Sequence, residues 1–298
     1  MMDFFQLLAA GLSLGAIYAL VTLSFVVVYK ATGILNFATG GSVLLGAYIT
    51  YAAAVTWGLP FFVALIISMI CMATLGALTE RIILRKMIGQ PVFAIIMVTL
   101  GALTVIVNTS SAIWGQDLLA QADPWGINTI SFGSVRVLAV DAWTVAFATI
   151  ALVVFFLFFR YSRLGLAMRA TTLDAEAALA QGIRVRHVFM IAWAMAGAMA
   201  ALAGVMLSAG PRGISIEVAA IALRAFPAMI LGGLESPSGA VVGGGVIGVT
   251  EVFTAALESD YQGWVGSNFH VVMPYIVMIV ILTLRPYGLF GSKRAERV

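Results

Sequence analysis

Charge is scarce in this chain: Asp, Glu, Lys and Arg make up only 10% of its 298 residues, against about a quarter in an ordinary soluble domain. A soluble protein of this length needs a charged skin over its core, and so little charge cannot furnish one. Hydrophobic residues supply 62% of the chain and the mean hydropathy is +1.07. Lipid has to cover the rest of the surface.

Cysteine is almost lacking as well. With Cys71 alone, no disulfide can close within the chain, and its place in an apolar run marks it as a small packing residue. Histidine is limited to His187 and His270, far apart and without carboxylates at ligand-like spacing, which argues against a metal site. No Gly-x-x-x-x-Gly-Lys-[Ser/Thr] run occurs, so the chain has no phosphate-binding loop with which to hydrolyse ATP. A His-Glu-x-x-His helix is missing too, and nothing clusters in the manner of an intramembrane enzyme. The pI near 9.2 does not point to nucleic acid, because the basic residues sit in short blocks between apolar runs rather than along one polar face.

What is present in abundance is apolar sequence. Runs of about 17 to 25 residues can cross the hydrocarbon region as helices, in which every backbone group is bonded internally. Nine such runs predict an all-α integral membrane bundle of about nine spans, eight to ten by the softness of the boundaries. They are Phe4–Tyr29, Leu35–Val55, Pro60–Thr79, Val92–Ile113, Leu138–Phe159, Val188–Ala209, Val218–Leu234, Ala240–Leu257 and Phe269–Leu284. The first run is not a cleavable leader by its pattern: it has no basic segment ahead of it, Asp3 precedes it, and its apolar stretch is too long. The seventh, short and interrupted by Arg224, Pro227 and Gly232-Gly233, reads as a broken or re-entrant helix.

If the spans alternate, Lys30, Arg81, Arg85, Lys86, Arg160, Arg163, Arg169, Arg184, Arg186, Arg285, Lys293, Arg294 and Arg297 fall on one side, and only Arg136 and Arg212 on the other. Short cytoplasmic loops are the ones enriched in Lys and Arg. The N-terminus is therefore expected outside, with Asp117, Asp123, Glu258 and Asp260, and the C-terminus in the cytoplasm.

Three segments stand out. The inner loop 160–187 looks structured: Thr171 is read as an N-cap with Asp174 three positions on, Glu176 suits the N-terminal dipole, and Gly182 permits a left-handed end. Ala175, Ala178, Leu179 and Gly182 share one face on that reading, either a docking surface or a helix lying on the headgroups. At the start of the second run, Asn36, Thr39 and Ser42 share a face that either packs tightly or lines a polar pathway. In the seventh run, an intramembrane Arg224 needs a partner, and Glu251 and Glu217 are the nearest in sequence. A structural ion pair and a substrate contact are both open.

Taken together with Arg285-Pro-Tyr-Gly-Leu-Phe-Gly291, these segments resemble the permease family of ABC importers for branched-chain amino acids, and within it the H-type subunit. The resemblance rests on Asn36-Phe-Ala-x-Gly40, Gly165-x-x-x-Arg169-Ala, Gly182-Ile183, Gly232-Gly233, Ser236-x-x-Gly239 and the terminal motif, in that order along nearly the whole chain. A departure falls at Thr39-Gly40-Gly41-Ser42, where related permeases often carry a more polar or acidic residue.

The resemblance implies a type II ABC importer permease, residues 1–298 forming a single transmembrane domain in a bacterial inner membrane. It further implies a second permease subunit, two cytoplasmic ATPase subunits and a periplasmic solute-binding protein. The chain itself would bind no cofactor, and ATP would be used by the partner ATPases. Thr171–Ile183, with Arg169, Thr171, Asp174, Glu176, Ala178 and Gly182, would be the coupling segment. Asn36, Thr39, Ser42, Arg224 and Glu251 would line the pathway for branched-chain or related amino acids, amides or aromatic acids. An ion-coupled secondary carrier or channel is the alternative, with Glu251 its one fair coupling carboxylate.

Overall fold

The computed structural model describes residues 4–87, 89–132, 135–265 and 268–291. Twelve α-helices follow in order: α1 Phe4–Thr32, α2 Thr39–Tyr51, α3 Phe61–Ile82, α4 Val92–Trp114, α5 Ala139–Tyr161, α6 Arg163–Leu173, α7 Ala175–Ala180, α8 Val185–Ser208, α9 Glu217–Leu223, α10 Ala225–Gly232, α11 Pro237–Val265 and α12 Phe269–Leu284. All nine apolar runs are helical. Among the described residues, six helices are long and apolar enough to cross a membrane: α1, α3, α4, α5, α8 and α11.

The shorter elements have local causes. The second run begins at Thr39 rather than Leu35, because the Asn36 side chain accepts the Ala38 N–H at 3.1 Å and holds the chain in a turn. A π-helical turn over Ala52–Thr56 carries α2 onward. The seventh run is two helices meeting at Arg224, which ends α9 and begins α10. Two strands, β1 Thr129–Phe132 and β2 Val135–Leu138, pair antiparallel in the loop between α4 and α5, a small departure from the all-α expectation.

At the centre stand α1 and α8. Every residue from Ile17 to Val28 is buried, as is every residue from Met199 to Ser208. By contrast α4 buries only Ile95, Thr99 and Ser110, so α3, α4 and α5 form the perimeter. Cys71 is exposed on α3, contrary to its expected packing role, because that face of the helix has no neighbour within the chain.

Small residues bring the central helices into backbone contact, as expected where lipid supplies no hydrophobic drive between helices. A Cβ on Gly248 of α11 would stand 2.2 Å from the backbone nitrogen of Gly15 in α1, and a Cβ on Gly204 of α8 would stand 2.0 Å from the Val43 carbonyl in α2. Gly11-x-Ser13-x-Gly15 has the letters of a nucleophile elbow, but it lies inside α1 with Ser13 buried, and the spacing serves packing against α11. Gly248→Val is expected to cut membrane accumulation at least several-fold, since forced overpacking costs about 1 to 3 kcal/mol. Gly101→Val on α4, where a Cβ meets nothing within 4 Å, should accumulate normally. Immunoblots of membrane fractions test the contrast, and equal loss in both would dismiss the close-packing account.

Candidate functional site

Segment 160–187 holds two helices, α6 and α7, with a corner at each end. Ser162 caps α6 by accepting the Gly165 N–H at 2.8 Å. Gly165 is required there, because a Cβ would lie 2.4 Å from the Phe159 carbonyl. One turn on, the Arg169 guanidinium donates to that same Phe159 carbonyl and to Arg160 O at 3.3 Å, with its plane over the Phe159 ring. The motif Gly165-x-x-x-Arg169 is thus the lock of the α5–α6 corner.

Asp174, not Thr171, is the N-cap of the next helix. Its carboxylate accepts the N–H groups of Glu176 and Ala177 at 3.0 Å each. Thr171 lies within α6 and returns its hydroxyl to Ala167 O at 2.9 Å, as threonine does inside helices. At the far end Gly182 takes φ +82°, with Ile183 N–H bonded to Ala178 O and Gly182 N–H to Leu179 O, the paired bonds of a Schellman stop. The expected face is also corrected. Ala178 is buried at 4% exposure and turned into the chain, whereas Leu173 at 88% and Leu179 at 57% stand open beside exposed Glu176 and Gly182.

This segment is strapped to the bundle. Thr172 Oγ1 shares its proton between its own Met168 O at 2.8 Å and Lys30 O at 3.1 Å, and Lys30 Nζ donates to Glu235 O at 3.0 Å, linking α6 to the C-terminal end of α1 and to the turn between α10 and α11. The terminal motif closes the same end: Leu289 N–H bonds Leu231 O at 2.8 Å and Phe290 N–H bonds Gly232 O at 3.1 Å, satisfying the last carbonyls of α10. Of that C-terminal region, Lys293, Arg294 and Arg297 lie outside the described residues, as does the Asp260 side chain in the outer segment.

Between α2, α3, α4 and α8 is a cavity of about 350 Å³, within the range of small-molecule sites. Asn36, Thr39 and Ser42 all line it, together with Thr79 and Trp193. Asn36 precedes α2 rather than sharing its face. The hydroxyl protons are committed locally: Thr39 to Asn36 O at 2.8 Å, Ser42 to Ala38 O at 3.1 Å and Thr79 to Leu75 O at 2.8 Å. Trp193 is 3% exposed and its Nε1–H has no partner. Tyr48 Oη on α2 and Ser110 Oγ on α4 are likewise buried without partners. Leaving such groups unpaired costs about 1 to 3 kcal/mol each, so α2, α4 and α8 hold unspent polar capacity.

Arg224 and Glu251 are not part of this cavity. They meet beside α1, where Arg224 Nη1 bonds Glu251 Oε1 at 2.8 Å and Tyr18 Oη donates to Glu251 Oε2 at 2.6 Å. Thr22 Oγ1 donates to Ala225 O at 3.2 Å, beside the same helix break. The five expected pathway residues therefore divide into three at the cavity and the Arg224–Glu251 pair, which with Tyr18 forms a triad that clamps the α9–α10 break between α1 and α11. Glu217, the other carboxylate near in sequence, is not in the pair.

Sequence reading missed Tyr18, Trp193 and the Arg212–Asp141 ion pair, which joins the turn after α8 to the start of α5. A tyrosine or tryptophan within a span signals nothing by itself, and Asp141 at the head of a span was the only local sign. Among the described residues no group of His, Cys, Asp or Glu is placed to hold a metal ion.

Apolar helices of membrane-spanning length around a cavity with no fixed charge in its wall suit a membrane permease. Residues 7–282 match the family described as "Branched-chain amino acid transport system / permease component", and the chain belongs to that family. It is 28% identical over 315 residues to the high-affinity branched-chain amino acid transport system permease protein LivH of Escherichia coli K12, covering 99% of this chain and 98% of the relative. Similarity to the permease protein BraD of the corresponding system in Pseudomonas aeruginosa is 27% identity over 310 residues, with the same coverages. Among solved structures, PsaBC from Streptococcus pneumoniae in complex with Fab matches with a TM-score of 0.50 and 16% identity, covering 96% of this chain and 93% of that one. That likeness concerns the fold alone.

Proposed function

We propose that this chain is one transmembrane half of an ATP-driven importer that moves branched-chain amino acids from periplasm to cytoplasm. The observation that supports it most is the inner segment 160–187, which is capped at both ends, strapped to α1 and α5, and presents Leu173 and Leu179 outward. A surface of that kind, on a chain with no phosphate-binding loop, suits docking of a separate ATPase. Two cytoplasmic ATPase subunits, a second permease and a periplasmic solute-binding protein complete the assembly, and the whole of 1–298 acts as one permease domain.

Nine crossings fit this reading, with α2 and its π-turn, the α9–α10 pair and α12 adding to the six long helices. The Lys30–Glu235 contact, between the end of α1 and the turn before α11, and the Leu119–Ile214 bridge, between the α4–α5 loop and the segment before α9, support that alternation. The side rich in Lys and Arg is then cytoplasmic, with the N-terminus periplasmic. A secondary carrier is disfavoured because Glu251, its one coupling carboxylate, is held by both Arg224 and Tyr18.

The test is reconstitution of both permeases in liposomes with the solute-binding protein. Leucine uptake is expected only when the ATPases and ATP are supplied. Uptake driven by an ion gradient without ATPases would establish the carrier instead.

A further inference from the structure

The connection between α3 and α4 frames a second cavity, of about 290 Å³, which the turn after α1 and the N-terminal part of α8 also bound. Its floor is formed by Glu80, Leu84 and Ile95, each at most 9% exposed. Gly33, Gly89 and Val92 stand exposed at its mouth. Since α3 ends at Ile82 and α4 begins at Val92, this connection lies at a membrane interface, at the level of lipid headgroups.

Charge here is one-sided and fixed in place. Arg81, Arg85 and Lys86 follow a single acid, Glu80. That carboxylate grips Arg85 along one edge, Nη2 donating to Oε2 at 3.0 Å and Nε to Oε1 at 3.4 Å. A guanidinium carries five N–H donors, and the grip leaves those on Nη1 uncommitted, on a side chain that keeps 30% exposure. Two other cations at this end spend their donors on backbone, Lys30 on Glu235 O and Arg169 on the Phe159 and Arg160 carbonyls. Arg85 borders a cavity with donors to spare.

We infer that this cavity seats the phosphate of an anionic phospholipid, received by Arg85 Nη1 and attracted by Arg81 and Lys86. Glu80 acts as the positioning residue, because it holds the guanidinium with its free edge available. Ile34, Val92 and Phe189 line the same cavity, and Phe93 beside its mouth is 71% exposed, so an acyl chain leaving the site meets apolar surface. A basic cleft between helices at headgroup level is where an anionic lipid gains most. A zwitterionic lipid brings its own cation beside the phosphate and gains less. This site goes beyond the importer reading and does not depend on it.

The experiment uses the full-length chain purified in detergent. Native mass spectrometry reads the lipid bound from an equal mixture of phosphatidylglycerol and phosphatidylcholine with the same acyl chains. Wild type is expected to favour phosphatidylglycerol about fivefold, the preference that one cation near a headgroup supplies. Excess inorganic phosphate should not displace the lipid, since it brings no acyl chain. Arg85→Gln alone would orphan the buried Glu80 carboxylate, so Glu80→Gln/Arg85→Gln is the variant, and its preference should fall to near parity. Val92→Glu places a negative charge at the mouth on a residue 69% exposed, where no packing is lost, and should lower the preference at least about twofold. Arg160→Gln, outside the cavity, should leave it unchanged. Equal binding of the two lipids by wild type overturns the site, as does a preference that survives either variant at equal yield. Displacement by inorganic phosphate would show a free-anion site and overturn the lipid. Failure of leucine uptake in liposomes would remove the importer reading and leave this site standing.

Discussion

Arg224→Leu is expected to reduce the folded permease in membranes at least tenfold. Glu251 is 4% exposed, and without the guanidinium its carboxylate keeps only the Tyr18 hydroxyl. Removing one partner of a buried pair costs about 3 to 5 kcal/mol, where each 1.4 kcal/mol is about tenfold in an equilibrium. The Arg224 side chain retains 22% exposure, which places the cost toward the lower end of that range. The double variant Arg224→Leu/Glu251→Leu removes the orphaned charge and should recover most of the accumulation, because coupled neighbours are non-additive. Quantifying a fluorescent fusion by size-exclusion chromatography reads both. Wild-type yield from the single variant would show that the pair is not structurally needed, and a double variant as poor as the single would mean Arg224 serves something other than neutralising Glu251.

That triad also marks where sequence reading stops. Each long apolar run was legible, because lipid imposes a local requirement that one window of sequence can display. The pairing of Arg224 with Glu251 required a third partner, Tyr18, 233 residues from the carboxylate, and no local pattern joins them. Trp193 was invisible for the same reason: an indole among alanines and methionines reads as packing, and only the arrangement of neighbours shows that its N–H is left over. Glycine spacing lay between these cases. Gly11 and Gly15 stand four apart, as do Gly244 and Gly248, so the helix faces that meet were written in the sequence, although which pair meets which was not.

In segment 160–187 the N-cap is Asp174, three residues beyond the Thr171 that the sequence pattern favours. Thr171 and Asp174 both suit an N-cap, and the choice depended on whether the threonine hydroxyl turned back to Ala167 or forward. Since the second helix spans only Ala175–Ala180 and consists mainly of alanine, no contrast of polarity showed which side faced the bundle. The resulting reversal changes which substitution is informative. Ala178→Arg would force a cation into a packed position and damage the permease itself, so its failure to transport would say little about docking.

Leu173→Glu/Leu179→Glu is the informative variant, and it is expected to abolish coupling: import below a tenth of wild type, ATPase subunits no longer co-purifying, and permease accumulation unchanged. Both side chains are exposed, at 88% and 57%, so nothing within the chain should be lost by the exchange, whereas a charge driven into a desolvated partner pocket commonly costs 2 kcal/mol or more, roughly thirtyfold. The competing account has these leucines resting on lipid headgroups, and Leu179→Trp separates the two. Tryptophan is favoured at a membrane interface, so that account expects full import, while a groove shaped for leucine rejects the larger ring and import falls. On the docking account a push on α7 would reach α1 and the turn at Glu235 through α6, Thr172 and Lys30, beside the α9–α10 break. Normal import by the double glutamate variant, with ATPases still bound, would show that energy enters the permease somewhere other than 160–187.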